Sequence, residues 1–291
     1  MTKNDSVDIG VKNIPSKIPI RILRVIVNVF VMAFSITCIF PVIWMVYSSF
    51  KSNDEFLRNI IGLPANPQFE NYIYAFKVSK MGVYFFNSAF NSVVCVAAIV
   101  ILSTFVGYFI ARYKFAGRNI IYTMFIAGML MPIYGLLVPI YLQFRALNML
   151  DHRYTLILPY IAFGLPMAIF LIENFVRTIP VEIEEAATID GCRIRHILFR
   201  IILPMCSPVL ATVMILTFLN VWNEFPFALI LINEDSLKTI PIGLTYFKGQ
   251  YKIDYAKLMA ALVIAMAPVV IFYLFSSKRI MEGMVAGAVK G

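Results

Sequence analysis

Six stretches of this chain, Val25 to Tyr47, Asn87 to Ala111, Asn119 to Phe144, Tyr154 to Ile172, Ile201 to Asn223 and Leu258 to Ser277, contain no Asp, Glu, Lys or Arg. As a helix rising about 1.5 Å per residue, each is long enough to cross roughly 30 Å of hydrocarbon. Lipid offers a backbone no hydrogen bonds, so apolar runs of this length predict transmembrane α-helices, and six of them predict an all-α integral membrane protein. The remaining sequence agrees: 14% of the 291 residues are charged, against about 25% in a soluble domain. The predicted organisation is a tail over 1–24, a first span over 25–47, a loop over 48–86, a helical core over 87–277 and a tail over 278–291. The spans leave no room for a separate soluble domain. The first is too long for a signal-peptide core and lacks a small-residue cleavage site, so it is expected to stay as an anchor.

Basic residues set the expected orientation. With the N-terminus inside, segments 1–24, 112–118, 173–200 and 278–291 carry 15 Lys and Arg, and segments 48–86, 145–153 and 233–257 carry 10 over the same total length. The short loop Arg112 to Arg118 holds three of them, and short loops follow the positive-inside rule best. Both termini and the segment after residue 173 are therefore expected in the cytoplasm. The net charge of +9 reads as topology and contact with membrane lipid. Its dispersal among loops argues against nucleic acid as a partner.

The most polar interruption lies at 180–204. Pro180 suits the first position of a helix, and Glu182, Glu184 and Glu185 follow near the positive end of its dipole. Ile183, Ala186 and Ala187 are spaced to share one face, and Gly191 permits the backbone that ends the helix and turns the chain. A second short helix is expected from Cys192 to Arg200, carrying Arg193, Arg195 and Arg200. A two-helix hairpin with small residues on one face and an Arg cluster is suited to docking another surface.

The same residues carry a resemblance. Glu185-Ala186-Ala187, three residues, Gly191, nine residues, then Ile201-Ile202-Leu203-Pro204 resembles the EAA loop of binding-protein-dependent ABC importer permeases, and every fixed position is in register. Phe40-Pro41, Trp44-Met45, Asn91-Ser92, Pro132, Pro139, Trp222-Asn223-Glu224-Phe225 and the tail Gly287-Ala288-Val289-Lys290-Gly291 are similar to the second permease subunit of maltose-type carbohydrate importers. Cys192 departs from the family's usual Ala but is small enough to keep the turn. The resemblance implies a type I ABC importer fold in a bacterial or archaeal cytoplasmic membrane. It implies a heterodimer with a homologous permease, two copies of an ATP-binding subunit and an extracytoplasmic sugar-binding protein. It also implies ATPase docking through Glu185, Ala186, Ala187, Asp190, Gly191, Ile201, Leu203 and Pro204.

Chemistry of the chain's own is not expected. No G-x-x-x-x-G-K-[ST] phosphate loop occurs, so any ATP is hydrolysed by a partner and this chain needs no cofactor. No Ser/His/Asp or paired-carboxylate set is present, so an enzyme is not expected. Cys38, Cys95, Cys192 and Cys206 form no C-x-x-C pair, which predicts neither a disulfide nor a metal site. A secondary transporter or channel would be expected to carry ionisable groups within its spans, and these six have none. An ABC permease for a non-sugar solute remains a second reading.

For a pathway, the candidates are Asn91, Asn220, Asn223 and Tyr134. Amides and phenols within spans must face protein or a water-filled cavity. Interhelical hydrogen bonding is the competing role for Asn87 and Asn91. Glu173 and Glu224 fall near span ends, within reach of interfacial water.

Overall fold

The computed structural model describes residues 20–247 and 253–288, with side chains over 22–247 and 253–275. The tail expectations for 1–19 and 289–291 lie outside the described residues. In chain order the helices are α1 (Ile20–Ser48), α2 (Asn53–Arg58), α3 (Glu70–Ile73), α4 (Met81–Arg112), α5 (Arg118–Met129), α6 (Ile133–Ala146), α7 (Ile157–Thr178) and α8 (Glu182–Ile189). They continue as α9 (Ile194–His196), α10 (Leu203–Met205), α11 (Ser207–Trp222), α12 (Pro226–Leu231), α13 (Ile240–Thr245) and α14 (Tyr255–Ala288). π-Helical turns occupy Tyr74–Val78 and Ile197–Ile202.

Four of the expected spans are unbroken helices, within α1, α4, α7 and α14; the other two are bent pairs. The third, expected to run straight through Asn119 to Phe144, breaks instead between α5 and α6 at 101°. The cause is local: Pro132 is extended (ψ 107°) and caps α6, and a proline drives the residue before it out of the α region. The fifth span, expected to begin at Ile201, begins at Ser207. The helix arriving over Ile194–Met205 meets α11 at 73°, with Pro204 and Pro208 on either side of Cys206 withdrawing N–H donors. The sixth helix continues beyond Ser277 to Ala288, through the start of the segment expected to be a separate tail.

α4 is the centre of the bundle and packs most extensively on α7. The helices approach closely because two glycines face the partner. A Cβ on Gly107 would sit 3.0 Å from Ile172 Cγ2 and 3.2 Å from the Glu173 nitrogen, and one on Gly164 would sit 2.5 Å from Ile99 Cδ1. Small residues at such crossings let dispersion contacts form where the hydrophobic effect is weak. Around them gather Ile99, Tyr108, Ile172, Val176, Ile202 and Val213, all buried.

The loops segregate to two ends. At one end, Asn87 (2% exposed) donates to the carbonyls of Ser236 (2.8 Å) and Lys238 (2.9 Å) and accepts from Arg153 at 2.6 Å. There too, Asp151 Oδ1 accepts from the N–H groups of Asn233 (2.5 Å) and Glu234 (2.9 Å). The loop after α1 is held by Trp44 Nε1 to Ile60 O (2.9 Å) and by buried Lys51 to Asn59 O (2.8 Å). At the other end lie the 112–118 turn and the hairpin after α7, which thus share one end of the molecule.

Candidate functional site: a clamped hairpin and a bundle cavity

The hairpin is built from ordinary helix punctuation. Ile179, before Pro180, is extended (ψ 127°), as a residue preceding proline should be. Val181 is then the N-cap, its carbonyl accepting from Glu184 N–H at 2.9 Å and Glu185 N–H at 3.1 Å. Pro180 therefore sits one residue outside the cap, not at the first helical position. Glu182, Glu184 and Glu185 occupy the first turn of α8, where the dipole favours acids. At the other end the Cys192 N–H donates to Ala187 O (2.9 Å) and the Gly191 N–H to Thr188 O (3.0 Å), the pair of bonds of a Schellman ending. Gly191 has φ +79°, and a Cβ added to it would meet no atom within 4 Å. Backbone conformation, not space, requires glycine there.

The expected shared face of Ile183, Ala186 and Ala187 divides. Ile183 and Ala187 (7% exposed) pack into the chain's own core with Ile179, Ile197 and Ile202. Among the residues turned outward are Glu185, Ala186, Asp190 and Ile189, the last 85% exposed. The i, i+4 pair Ile183/Ala187 faces the bundle, and Ala186 lies about 100° around the helix from Ala187. The second segment also differs from expectation. Arg193 is extended, α9 starts at Ile194, and the helix runs on through the π turn to Met205 because Ile197, Leu198 and Ile202 are buried along it. Arg193, Arg195 and Arg200 are exposed. Ile201 and Leu203 are partly buried against the core, and Pro204 is exposed.

A clamp that no sequence pattern indicates holds the hairpin. Arg112 Nε donates to Glu184 Oε1 at 2.6 Å, Arg112 Nη2 donates to Ile179 O at 2.8 Å, and the Tyr108 hydroxyl donates to Glu184 Oε2 at 2.7 Å. The last turn of α4 is thus bonded to the first turn of α8. The two members of the ion pair are 11% and 12% exposed, so the pair is screened little by solvent. Nothing local pairs residues 72 positions apart, and in the sequence Arg112 reads only as a topology charge.

Within the bundle a cavity of about 330 Å³ opens between α4, α6, α7, α11 and α12. Tyr134 and Asn220, two pathway candidates, line it, together with Tyr160, Phe163, Thr217, Glu224 and Phe227. Asn91 (5% exposed, on α4) and Asn223 are not among its lining residues; the Asn223 amide donates to Leu219 O at 2.8 Å. The acids expected at interfacial water are elsewhere. Glu173 is 1% exposed and paired with Arg177. Glu224 accepts from the Tyr160 hydroxyl (2.5 Å) and from the N–H groups of Phe227 (2.6 Å) and Ala228 (3.2 Å), capping α12 from the cavity wall. As the sole acid beside Trp222 and Phe225 in an apolar run, Glu224 is the visible signal for this site.

A multi-pass helical bundle with a clamped polar hairpin at one end and an amphipathic cavity in its interior is a membrane transport subunit, with no enzymatic role. The chain belongs to the family of binding-protein-dependent transport system inner membrane components, whose model matches residues 103–284, and it is an ABC importer permease. It is 38% identical over 252 residues to a putative ABC transporter permease of Caldicellulosiruptor sp., covering 86% of this chain and 91% of that one. It is 34% identical to the sulfoquinovosyl glycerol transport system permease SmoH of Agrobacterium fabrum, covering 87% and 89%. The fold matches a chain of a bacterial ABC transporter that imports the acidic polysaccharide alginate, with TM-score 0.79 at 22% identity over 89% of this chain and 96% of that one. This is the type I importer fold.

Proposed function

We propose that this chain is one permease of a heterodimer that carries a sugar or oligosaccharide across the cytoplasmic membrane by alternating access. Two copies of a separate ATP-binding subunit supply the energy, and an extracytoplasmic sugar-binding protein delivers the cargo. The observation that carries the coupling is the hairpin: Glu185, Ala186, Ile189 and Asp190 project from a helix that Arg112 and Tyr108 fix to α4. A load applied to the exposed face passes through Glu184 into the central helix rather than being absorbed by a loose loop. Ala187, Ile201 and Leu203 act in docking by setting the hairpin's angle, and Pro204 and Gly191 by turning the chain on either side. The carbohydrate cargo is supported by the names of relatives, sulfoquinovosyl glycerol and alginate transport among them. Both termini lie in the cytoplasm.

The test is reconstitution. Purified alone, the chain is expected to hydrolyse no ATP; in proteoliposomes with its second permease, ATPase and binding protein, hydrolysis and sugar uptake should rise together when cargo is added. Uptake that persists without the ATPase, driven by an ion gradient, would reject the reading.

A further inference from the structure

Side chains from the end of α1 and the turn after it converge on three successive carbonyls of the following loop. Trp44 Nε1 donates to Ile60 O at 2.9 Å, the Tyr47 hydroxyl donates to Ile61 O, and the Lys51 ammonium donates to Asn59 O at 2.8 Å and to Ile60 O at 3.2 Å. Lys51 is fully buried, with the rings of Tyr47 and Phe56 at 5.4 and 6.0 Å. Amides of the same loop are bonded too: the Gly62 N–H reaches Asn59 Oδ1 at 2.8 Å and the Ala65 N–H reaches Glu55 Oε1 at 2.6 Å, while Pro64 has no N–H to place. With these backbone groups bonded inward, the side chains turn out: Ile61 and Leu63 are 70% and 74% exposed, and Leu57 and Ile60 more than half exposed. A loop in water has solvent for its carbonyls and needs no buried donors, whereas irregular backbone at the edge of hydrocarbon must find them within the protein.

We propose that residues 57–63 are an interfacial anchor whose apolar side chains sit in membrane lipid while Trp44, Tyr47 and Lys51 hold its backbone. For the leaflet it enters, the outer one, the inference rests on the orientation proposed above. Depth favours lipid as the occupant. Trp44 lies four residues before the end of α1 at Ser48, about 6 Å along the axis, so its bond brings the 59–61 backbone back to the level of α1's last turn. Amphipathic aromatics such as Trp44 and Tyr47 are at home at that level. Continuity favours it as well: Val42, Ile43 and Val46 are exposed on the adjoining turns of α1, and none of the helix's most apolar window is buried, so the loop extends a surface that already faces lipid. Arg58, exposed beside Leu57, is placed for lipid phosphates. The anchor also reaches the last span, because Phe56 stacks on Tyr255 at 5.4 Å and Asn53 Oδ1 accepts from the Tyr255 N–H at 2.9 Å. One loop thus sets the depth of α1 and of the start of α14.

The test is a depth measurement on the assembled complex in nanodiscs of phosphatidylethanolamine and phosphatidylglycerol. Accessible native thiols, Cys38 and Cys192 among them, are replaced by Ser, and nitroxides are attached through Ile61→Cys and Leu63→Cys. Comparing collisions with oxygen, which concentrates in lipid, and with Ni-EDDA, which stays in water, should give a positive depth parameter at both positions. It should be negative at Asp54→Cys, whose site shares a polar recess with Asn53 and Asp254. Lys51→Met should release the loop, narrowing the Ile61→Cys spectrum and shifting its depth parameter toward the value in water. Should that complex fail to assemble, Trp44→Phe removes a single donor and should shift both in the same direction by less. Ni-EDDA outrunning oxygen at 61 and 63 would show a solvated loop and overturn the anchor; shielding from both reagents would show a protein partner on this face and overturn it equally. Unchanged spectra in Lys51→Met and Trp44→Phe would overturn the role given to the donors. An impermeant maleimide applied to Asp54→Cys in intact cells reads orientation separately: absence of labelling would count against the proposed topology, whatever the depth parameter shows.

Discussion

Arg112 and Glu184 meet across 72 residues of sequence, the guanidinium closing α4 and the carboxylate opening α8, with little of either exposed. Removing one partner leaves the other charge desolvated without compensation, at a cost of about 2–4 kcal/mol, somewhat below the range for fully buried pairs. Arg112→Ala and Glu184→Ala should each lower the melting temperature in detergent, and the double variant should be no worse than the poorer single. A cycle coupling of about 2–3 kcal/mol is expected; strict additivity would show that the contact carries no energy.

Gly191 should tolerate Asn and reject proline. At φ +79° Asn is the side chain most at home, Ala costs about 1–2 kcal/mol, and proline cannot adopt the angle at all. Proline also lacks the N–H that reaches Thr188 O. Membrane insertion should survive in all three, with co-purified ATPase and uptake falling in the order Asn, Ala, Pro. Full activity of Gly191→Pro would mean that the hairpin is a mere connector.

The α4/α7 crossing yields a compensating pair. Gly164→Ala drives its methyl against Ile99 Cδ1, and Ile99 is fully buried, so overpacking should cost about 1–3 kcal/mol. Ile99→Val deletes the colliding methyl and should restore most of the loss in the double variant. Thermal unfolding of the four proteins checks this.

At the opposite end, Asp151 is partly desolvated, which alone pushes its carboxyl up, but the N–H groups of Glu234 and Asn233 outweigh this and hold it below the usual range. A depressed carboxylate contributes stability above its unfolded value of about 3.9 and loses it as pH falls through the lower folded value. Cleavage of the 233–247 loop by an acid protease should therefore rise as pH drops below about 4. Asp151→Asn should be cleaved readily at every pH.

Much of this protein could be read without coordinates. The charge-free runs predicted six spans, because a backbone in lipid must satisfy itself, and Gly191 marked the turn of the hairpin because its demand is a local dihedral. Pro132 was visible too, yet whether a proline bends a span or breaks it at 101° depends on the neighbours that receive the two pieces. The inward turn of Ala187, the clamp from Arg112 to Glu184, the burial of Glu173 and the assembly of Tyr134, Asn220 and Glu224 around one cavity were decided by tertiary structure alone. Periodicity assigns a face to a helix but does not say which face meets which neighbour, and contacts between residues tens of positions apart leave no trace in either segment's own pattern.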